Sequence, residues 1–203
     1  MKLSSLLVTV HMVYERFVVW MIEHWRHALA LVLLVFCATG GVVGWRSYRT
    51  FCEARAHKAY LDVVRLVSTE VKSGSKDHSS SFATAQEKDE AIVSLGELFV
   101  SQHASTSFAP TVLAFIARSL NDLGKKEEAR LKMHAAEKAC SSTDLRQVYV
   151  LSAALMDLDT QDSAIQEQGL AALKGLAKNT ASVVCDAALF YLGEYFWSKQ
   201  NYQ

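Results

Sequence analysis

The sequence predicts an all-α chain: one membrane-spanning helix near the N-terminus, then a water-soluble solenoid of antiparallel helix pairs. Three observations carry that expectation. The 203 residues include one proline and nine glycines, too few breakers for a turn-rich β fold and well suited to long helices. Ala28 to Trp45 reads ALALVLLVFCATGGVVGW, with no charge, and about 18 such residues are just enough to cross the hydrocarbon core as a helix. Beyond it, small and apolar residues recur at helical spacing in segments separated by polar or glycine-containing turns. The length fits one anchor and one domain. Residues 1–27 form a cytoplasmic or interfacial segment, 28–45 the transmembrane helix, and 46–203 the repeat domain.

In the first segment Leu3, Leu6, Leu7, Val10, Tyr14, Phe17, Val18 and Met21 recur at helical spacing. His11, Glu15 and Arg16 interrupt a second span, because charges are costly at mid-bilayer. An interfacial amphipathic helix fits this pattern; the alternative is a later start, at Met12 or Met21. The span itself is bracketed by Trp25 and Trp45, whose amphipathic rings favour the membrane interface. A cleaved signal peptide fits poorly: the apolar core is too long and too far from the start, and no small-x-small site follows. Gly40 and Gly44 form a G-x-x-x-G, a spacing that lets two membrane helices approach closely. Lys2, Arg16 and Arg26 precede the span, while Arg46, Arg49, Arg55 and Lys58 follow it, a near tie that tilts slightly toward a cytoplasmic C-terminal domain.

From Arg46 the helical pattern runs to about Lys72, with Ala54, Ala56, Ala59, Tyr60, Val63, Val64 and Val67 on one face. Ser73 to Ser81, SGSKDHSSS, reads as a loop. Periodicity returns at Ala91, Ile92, Leu95, Leu98 and Phe99. The most informative stretch is PTVLAFIARSLNDLGKKEEARLKMHAAEKA, Pro110 to Ala139. Leu113, Ile116, Ala117 and Leu120 form one stripe; Gly124 breaks the helix; Ala129, Met133 and Ala136 form the next. Where two helices cross closely only small side chains fit between the backbones, and larger ones fill the flanks.

Large and small residues at these offsets around a glycine turn resemble a tetratricopeptide repeat, so the solenoid is expected to be tetratricopeptide-like. The departures are Met133 at an aromatic position and Ser141 at the closing-proline position. Asp144 with Gln147, and Ser163 with Gln166, look like helix-start capping pairs. Val148, Leu151, Ala154 and Leu155 stripe one helix, and Ile165, Leu170, Leu173 and Leu176 the next. Leu189, Leu192, Gly193 and Phe196 restart the first-helix pattern, with Tyr202 at the turn tyrosine position. The last repeat is therefore expected to be incomplete, leaving Leu189, Tyr191, Tyr195 and Trp197 rich in apolar surface.

The order of parts resembles the YfgM-like family, the ancillary subunits of the SecYEG translocon. A tail precedes a spanning helix ending in Gly44-Trp45-Arg46. CEARAHKAYLDVV follows, Cys52 to Val64, then FVSQHASTSFAPTVLAFIARSLNDLGKKEEA, Phe99 to Ala129. The likeness covers roughly Ile22 to Gln203 and rests on several blocks in order. It implies a bacterial inner-membrane protein with a periplasmic repeat domain. Its partners would be translocon subunits and a membrane-bound periplasmic chaperone, its clients exported proteins. That orientation runs against the slight charge tilt.

No chemical motif competes with a binding role. There is no Gly-rich phosphate loop, G-x-S-x-G or H-E-x-x-H, so no catalytic, cofactor or metal site is expected. His57, His78, His103 and His134 are isolated from one another in sequence and read as solvated or packed. Glu127 and Glu128 at a helix start favour its dipole. Cys37, Cys52, Cys140 and Cys185 form no C-x-x-C; Cys140 and Cys185 read as free thiols, or as a bridge if the domain faces an oxidising compartment. Lys plus Arg equal Asp plus Glu at 21 each, which gives no electrostatic reason to expect nucleic acid. The expected function is a membrane-anchored adaptor that binds proteins, with Arg118, Asn121 and Asp122 on the groove lined by first helices. The alternative is a self-associating scaffold, a homo-oligomer joined through Gly40 and Gly44 and the last repeat.

Overall fold

The computed structural model describes residues 14–16, 18–20, 25–71 and 82–200. Leu3, Leu6, Leu7, Val10, Phe17 and Met21 of the tail, the alternative start Met12, the Ser73–Ser81 loop and Tyr202 lie outside the described residues. Among the described residues every long element is an α-helix, and the β pairing is a single bridge between Val71 and Phe82.

Helix α1, Trp25–Ser68, is 44 residues long. Leu29 through Phe51 are all exposed, and the helix is long and apolar enough to cross a membrane. It stops as the side chains of Ser68 and Thr69 turn back on the Arg65 carbonyl, Thr69 Oγ1 donating at 2.8 Å. The helix therefore ends a few residues short of the expected Lys72. Contacts divide the chain into compact units at 1–51 and 52–203.

In the second unit α1 buries Ala56 and Val63, while Ala59, Tyr60 and Val67 are partly covered. Ala54, expected on that face, is exposed. Six helices follow: α2 Ala85–His103, α3 Ala109–Asp122, α4 Lys126–Ala139, α5 Thr143–Leu158, α6 Ser163–Lys178 and α7 Cys185–Gln200. Short connections fold each helix from α3 to α7 against its predecessor, and extensive contact runs from α2 to α3, α3 to α4, and so on to α7. Helices two apart are also tied. Tyr149 Oη on α5 donates to Thr111 Oγ1 on α3 at 3.1 Å, and Lys132 Nζ on α4 donates to Glu97 on α2 at 3.0 Å. The core is correspondingly a series of three clusters, one over α1–α4, one over α3–α5 and one over α5–α7.

Local chemistry explains the boundaries. Thr84 Oγ1 accepts from the Glu87 amide at 3.1 Å, and Glu87 reaches back to the Ala83 amide, a reciprocal cap that starts α2. Helix α3 has no cap from its own N-cap residue, Phe108. Instead Glu53 of α1 accepts from the Ser107 amide at 3.0 Å and the Ser107 hydroxyl at 2.8 Å. Gly124 ends α3 with φ of 78°. Its amide donates to Asn121 O, and the Lys125 amide to Leu120 O at 2.8 Å, the paired closure that a left-handed residue allows.

The expected crossing of α3 with α4 is present: Ala117, Ala129 and Ala136 are fully buried, with Leu113, Ile116, Leu120 and Met133 around them. Two closer approaches depend on glycine. A Cβ at Gly96 of α2 would lie 2.6 Å from Ile116 Cγ1, and one at Gly169 of α6 would lie 2.8 Å from the Ala154 carbonyl oxygen.

Four expectations need correction. Asp144 and Gln147 do not cap α5: Ser142 is its N-cap residue, and Gln147 Oε1 accepts from Ser182 Oγ and the Val183 amide, bracing the connection into α7. The α6 cap is Asp162, not Ser163: Asp162 accepts from the Ala164 amide at 2.9 Å, while Gln166 donates to Thr160 O at 2.6 Å. Leu98 and Val148 are exposed, because α2 and α5 turn Phe99, Tyr149 and Ala153 inward instead. Tyr191 and Tyr195 are half-covered, and the open apolar surface of α7 belongs to Leu189, Phe190, Phe196 and Trp197. All four cysteines are free; the Cys140 thiol donates to Ser142 O and the Cys185 thiol to Ala177 O.

Candidate protein-binding cleft

The end of α1, the start of α2 and the end of α3 enclose a half-open cleft of about 270 Å³. Val67, Val71, Ile92 and Phe115 give it an apolar floor. Lys88, Asp89, Arg118 and Asp122 give it charges of both signs. The reciprocal cap at Thr84 fixes where α2 begins and so sets Lys88 and Asp89 at the cleft. Lys88 Nζ donates to the Thr69 carbonyl at 2.7 Å, tying the end of α1 to α2. Arg118 and Asp122 are one helical turn apart, which puts both on one face of α3. Arg118 and Asp122 both line the cleft. Asn121 is exposed and does not line the cleft.

A cleft with an apolar floor and balanced charges suits a polypeptide segment, which offers side chains and backbone polar groups together. Ser119 lines it and is buried, but no histidine stands among the lining residues to activate it. Among the described residues no three His, Cys, Asp or Glu gather in metal-binding geometry. Gly40 and Gly44 are exposed on α1, and a Cβ at either would meet nothing within 4 Å.

A second cluster escaped sequence reading. Asp157 of α5 is 4% exposed. His134 Nε2 donates to its carboxylate at 3.0 Å, and Arg130 Nη1 approaches at 3.5 Å, both from α4. A carboxylate can only accept, and each ring nitrogen of His134 faces one, Nε2 that of Asp157 and Nδ1 that of Glu137 at 3.3 Å. Glu127 in turn holds Arg130 at 2.6 Å. That hydrogen bond raises the Arg130 pKa and lowers that of Glu127. Lys126 and Asp159 add a bridge at 2.5 Å across the same two helices. The cluster is a clamp between α4 and α5. Its signal in the sequence is a charge on the inward arc of α5, beside Ala153 and Ala154, opposite an Arg–His pair one turn apart.

Comparisons with protein-family models, with curated proteins and with solved structures found no match to this chain.

Proposed function

We propose that the chain is a membrane-anchored adaptor whose helical domain binds other proteins. One observation carries the reading: from α2 to α7 each helix packs on its sequence neighbour, and α3–α5 and α2–α4 are tied side by side through Thr111–Tyr149 and Glu97–Lys132. That connectivity supports a tetratricopeptide-like solenoid, an architecture that offers extended surface rather than an enclosed reaction site. The Gly124 turn and the small-residue crossing of α3 with α4 fit the same pattern. Residues 28–45 of α1 cross the bilayer, with Trp25 and Trp45 near its two faces. The cleft beside Arg118 and Asp122 is where a client segment docks.

The YfgM-like order of blocks names the setting: the bacterial inner membrane, a periplasmic domain, and translocon subunits, a periplasmic chaperone or exported proteins as partners. The test is a photocrosslinker at Arg118 in cell membranes, with protease access in spheroplasts read on the same samples. The expected result is a protease-accessible domain and adducts with translocon subunits, export chaperones or exported chains. An inaccessible domain, or adducts with none of these, overturns the assignment.

A further inference from the structure

The client cleft is built from two helical stripes. Lys88, Asp89 and Ile92 line it from α2, and Phe115, Ser119 and Asp122 from α3, each set at the spacing of one helix face. Three of its polar groups have no partner. Asp89 is half-buried and Asp122 exposed, and neither carboxylate has a hydrogen-bonding or charged partner among the described residues. Asp122 is also the last residue of α3. At that end of a helix dipole a carboxylate is disfavoured and a cation favoured.

The third group is Ser119, which is 4% exposed. A serine inside a helix can return its hydroxyl to the carbonyl four residues back, as Ser152 does to Val148 at 3.0 Å. The Ser119 hydroxyl makes no hydrogen bond among the described residues. Yet no fully buried side-chain oxygen among them lacks a partner. The little of Ser119 that remains open therefore includes its Oγ, and Ser119 lines the cleft. The two cations are placed differently. Lys88 Nζ is committed to the Thr69 carbonyl at 2.7 Å, just past the end of α1. Arg118 is exposed and lines the cleft.

We propose that the cleft selects a basic side chain: a lysine or arginine of the docked segment enters it, its stem along Val67, Ile92 and Phe115 and its head among Asp89, Asp122 and the Ser119 hydroxyl. Such side chains have the required mixed character, an apolar stem with a charged tip. A lysine ammonium brings three donors and no acceptor, and the cleft offers acceptors on three groups that bind nothing else. An acidic side chain would set a third carboxylate against two, with Lys88 already engaged. An aliphatic one would leave all three groups unmatched. Arg118 is left to donate to a backbone carbonyl of the same segment. The inference rests on the reading of this cleft as the client site and names the residue that the site reads.

The test uses the full chain in phosphatidylcholine nanodiscs, with empty nanodiscs as the control. The probes are short fluorescein-labelled peptides that differ only at a central lysine, norleucine or glutamate between valines, titrated by anisotropy. The lysine peptide is expected to bind about tenfold more tightly than the norleucine peptide, as charge-assisted hydrogen bonds require, and the glutamate peptide most weakly. Asp89→Asn with Asp122→Asn keeps the shape and removes the charge, and should bring the lysine-to-norleucine ratio below about twofold. Ser119→Ala breaks no hydrogen bond in the lone chain and should lower that ratio about threefold. Equal binding of the three peptides, or a preference for glutamate, overturns the inference and leaves the client site standing. A lysine preference indifferent to both variants puts the cation elsewhere and overturns it too. Binding of no peptide overturns the client-site reading together with the inference.

Discussion

Two glycines on one helix give the sharpest test of how α5 and α6 are packed. Gly169 and Gly175 both lie inside α6, yet a Cβ at Gly175 meets nothing within 4 Å, whereas one at Gly169 falls 2.8 Å from Ala154 O and 2.8 Å from Asp157 Cβ. Neither obstacle can swing away, one being backbone and the other the first atom of a clamped side chain. Ordinary carbon contacts begin near 3.5 Å, so the helices must part by roughly 0.7 Å to admit alanine. Replacing helical glycine with alanine gains about 1 kcal/mol at either position. At Gly169 overpacking costs about 1–3 kcal/mol against that gain. Gly175→Ala is therefore expected to stabilise the domain, and Gly169→Ala to be about neutral or destabilising. The propensity and unfolded-chain effects cancel between the two, so their difference, about 1–3 kcal/mol, isolates the collision. At about 2–4 °C per kcal/mol for a domain of this size, the melting temperatures should separate by several degrees in circular dichroism of the detergent-solubilised chain. Equal stabilisation by both substitutions would refute the close approach of α6 to α5.

Other expectations follow from single contacts. Glu53→Ala removes both hydrogen bonds to Ser107 and should cost about 1–2 kcal/mol, with faster amide exchange concentrated at Ser107 and the first turn of α3. Asp157→Ala strips the acceptor shared by His134 and Arg130. A loss of about 2–4 kcal/mol in urea unfolding is expected, while Asp159→Ala, on an exposed bridge, should cost under about 1 kcal/mol. Burial raises the Tyr149 pKa. The protonated phenol is then the form the fold favours, so this contribution is intact below about pH 10, where the unfolded tyrosine titrates, and is lost as pH climbs toward the folded value. Tyr149→Phe should flatten that alkaline limb of a pH–stability curve. An arginine at Leu34, mid-span, should weaken partition into vesicles by about 3 kcal/mol, visible as loss from the floated fraction in a sucrose gradient.

What sequence reading could reach depended on how locally each feature is encoded. The apolar run from Ala28 and the α3–α4 pair are written in contiguous residues, and the structure makes the first an exposed stretch of α1 and the second two helices joined at Gly124. Gly124 was legible for the same reason, since a helix end and its left-handed residue lie within one turn. The caps at Asp144 and Ser163 were misplaced because S/T/D-x-x-Q patterns occur one residue out of register as readily as in it. Only the backbone decides whether Gln147 looks to its own helix or, as here, to Ser182. Leu98 and Val148 failed for another reason: periodicity identifies an apolar arc, but α2 and α5 touch neighbours on two sides, and the inward direction rotates accordingly.

Partners distant in sequence were out of reach. Glu53 and Ser107, 54 positions apart, carry no pattern that pairs them, and the contact of Asp157 with His134 joins two helices whose crossing the sequence does not specify. Small residues are the exception that extends the reach. A glycine or alanine in the middle of an apolar stripe gives up buried area and, for glycine, helix propensity, so its presence records that a second backbone passes there. Ala117 records α4 and Gly169 records α5.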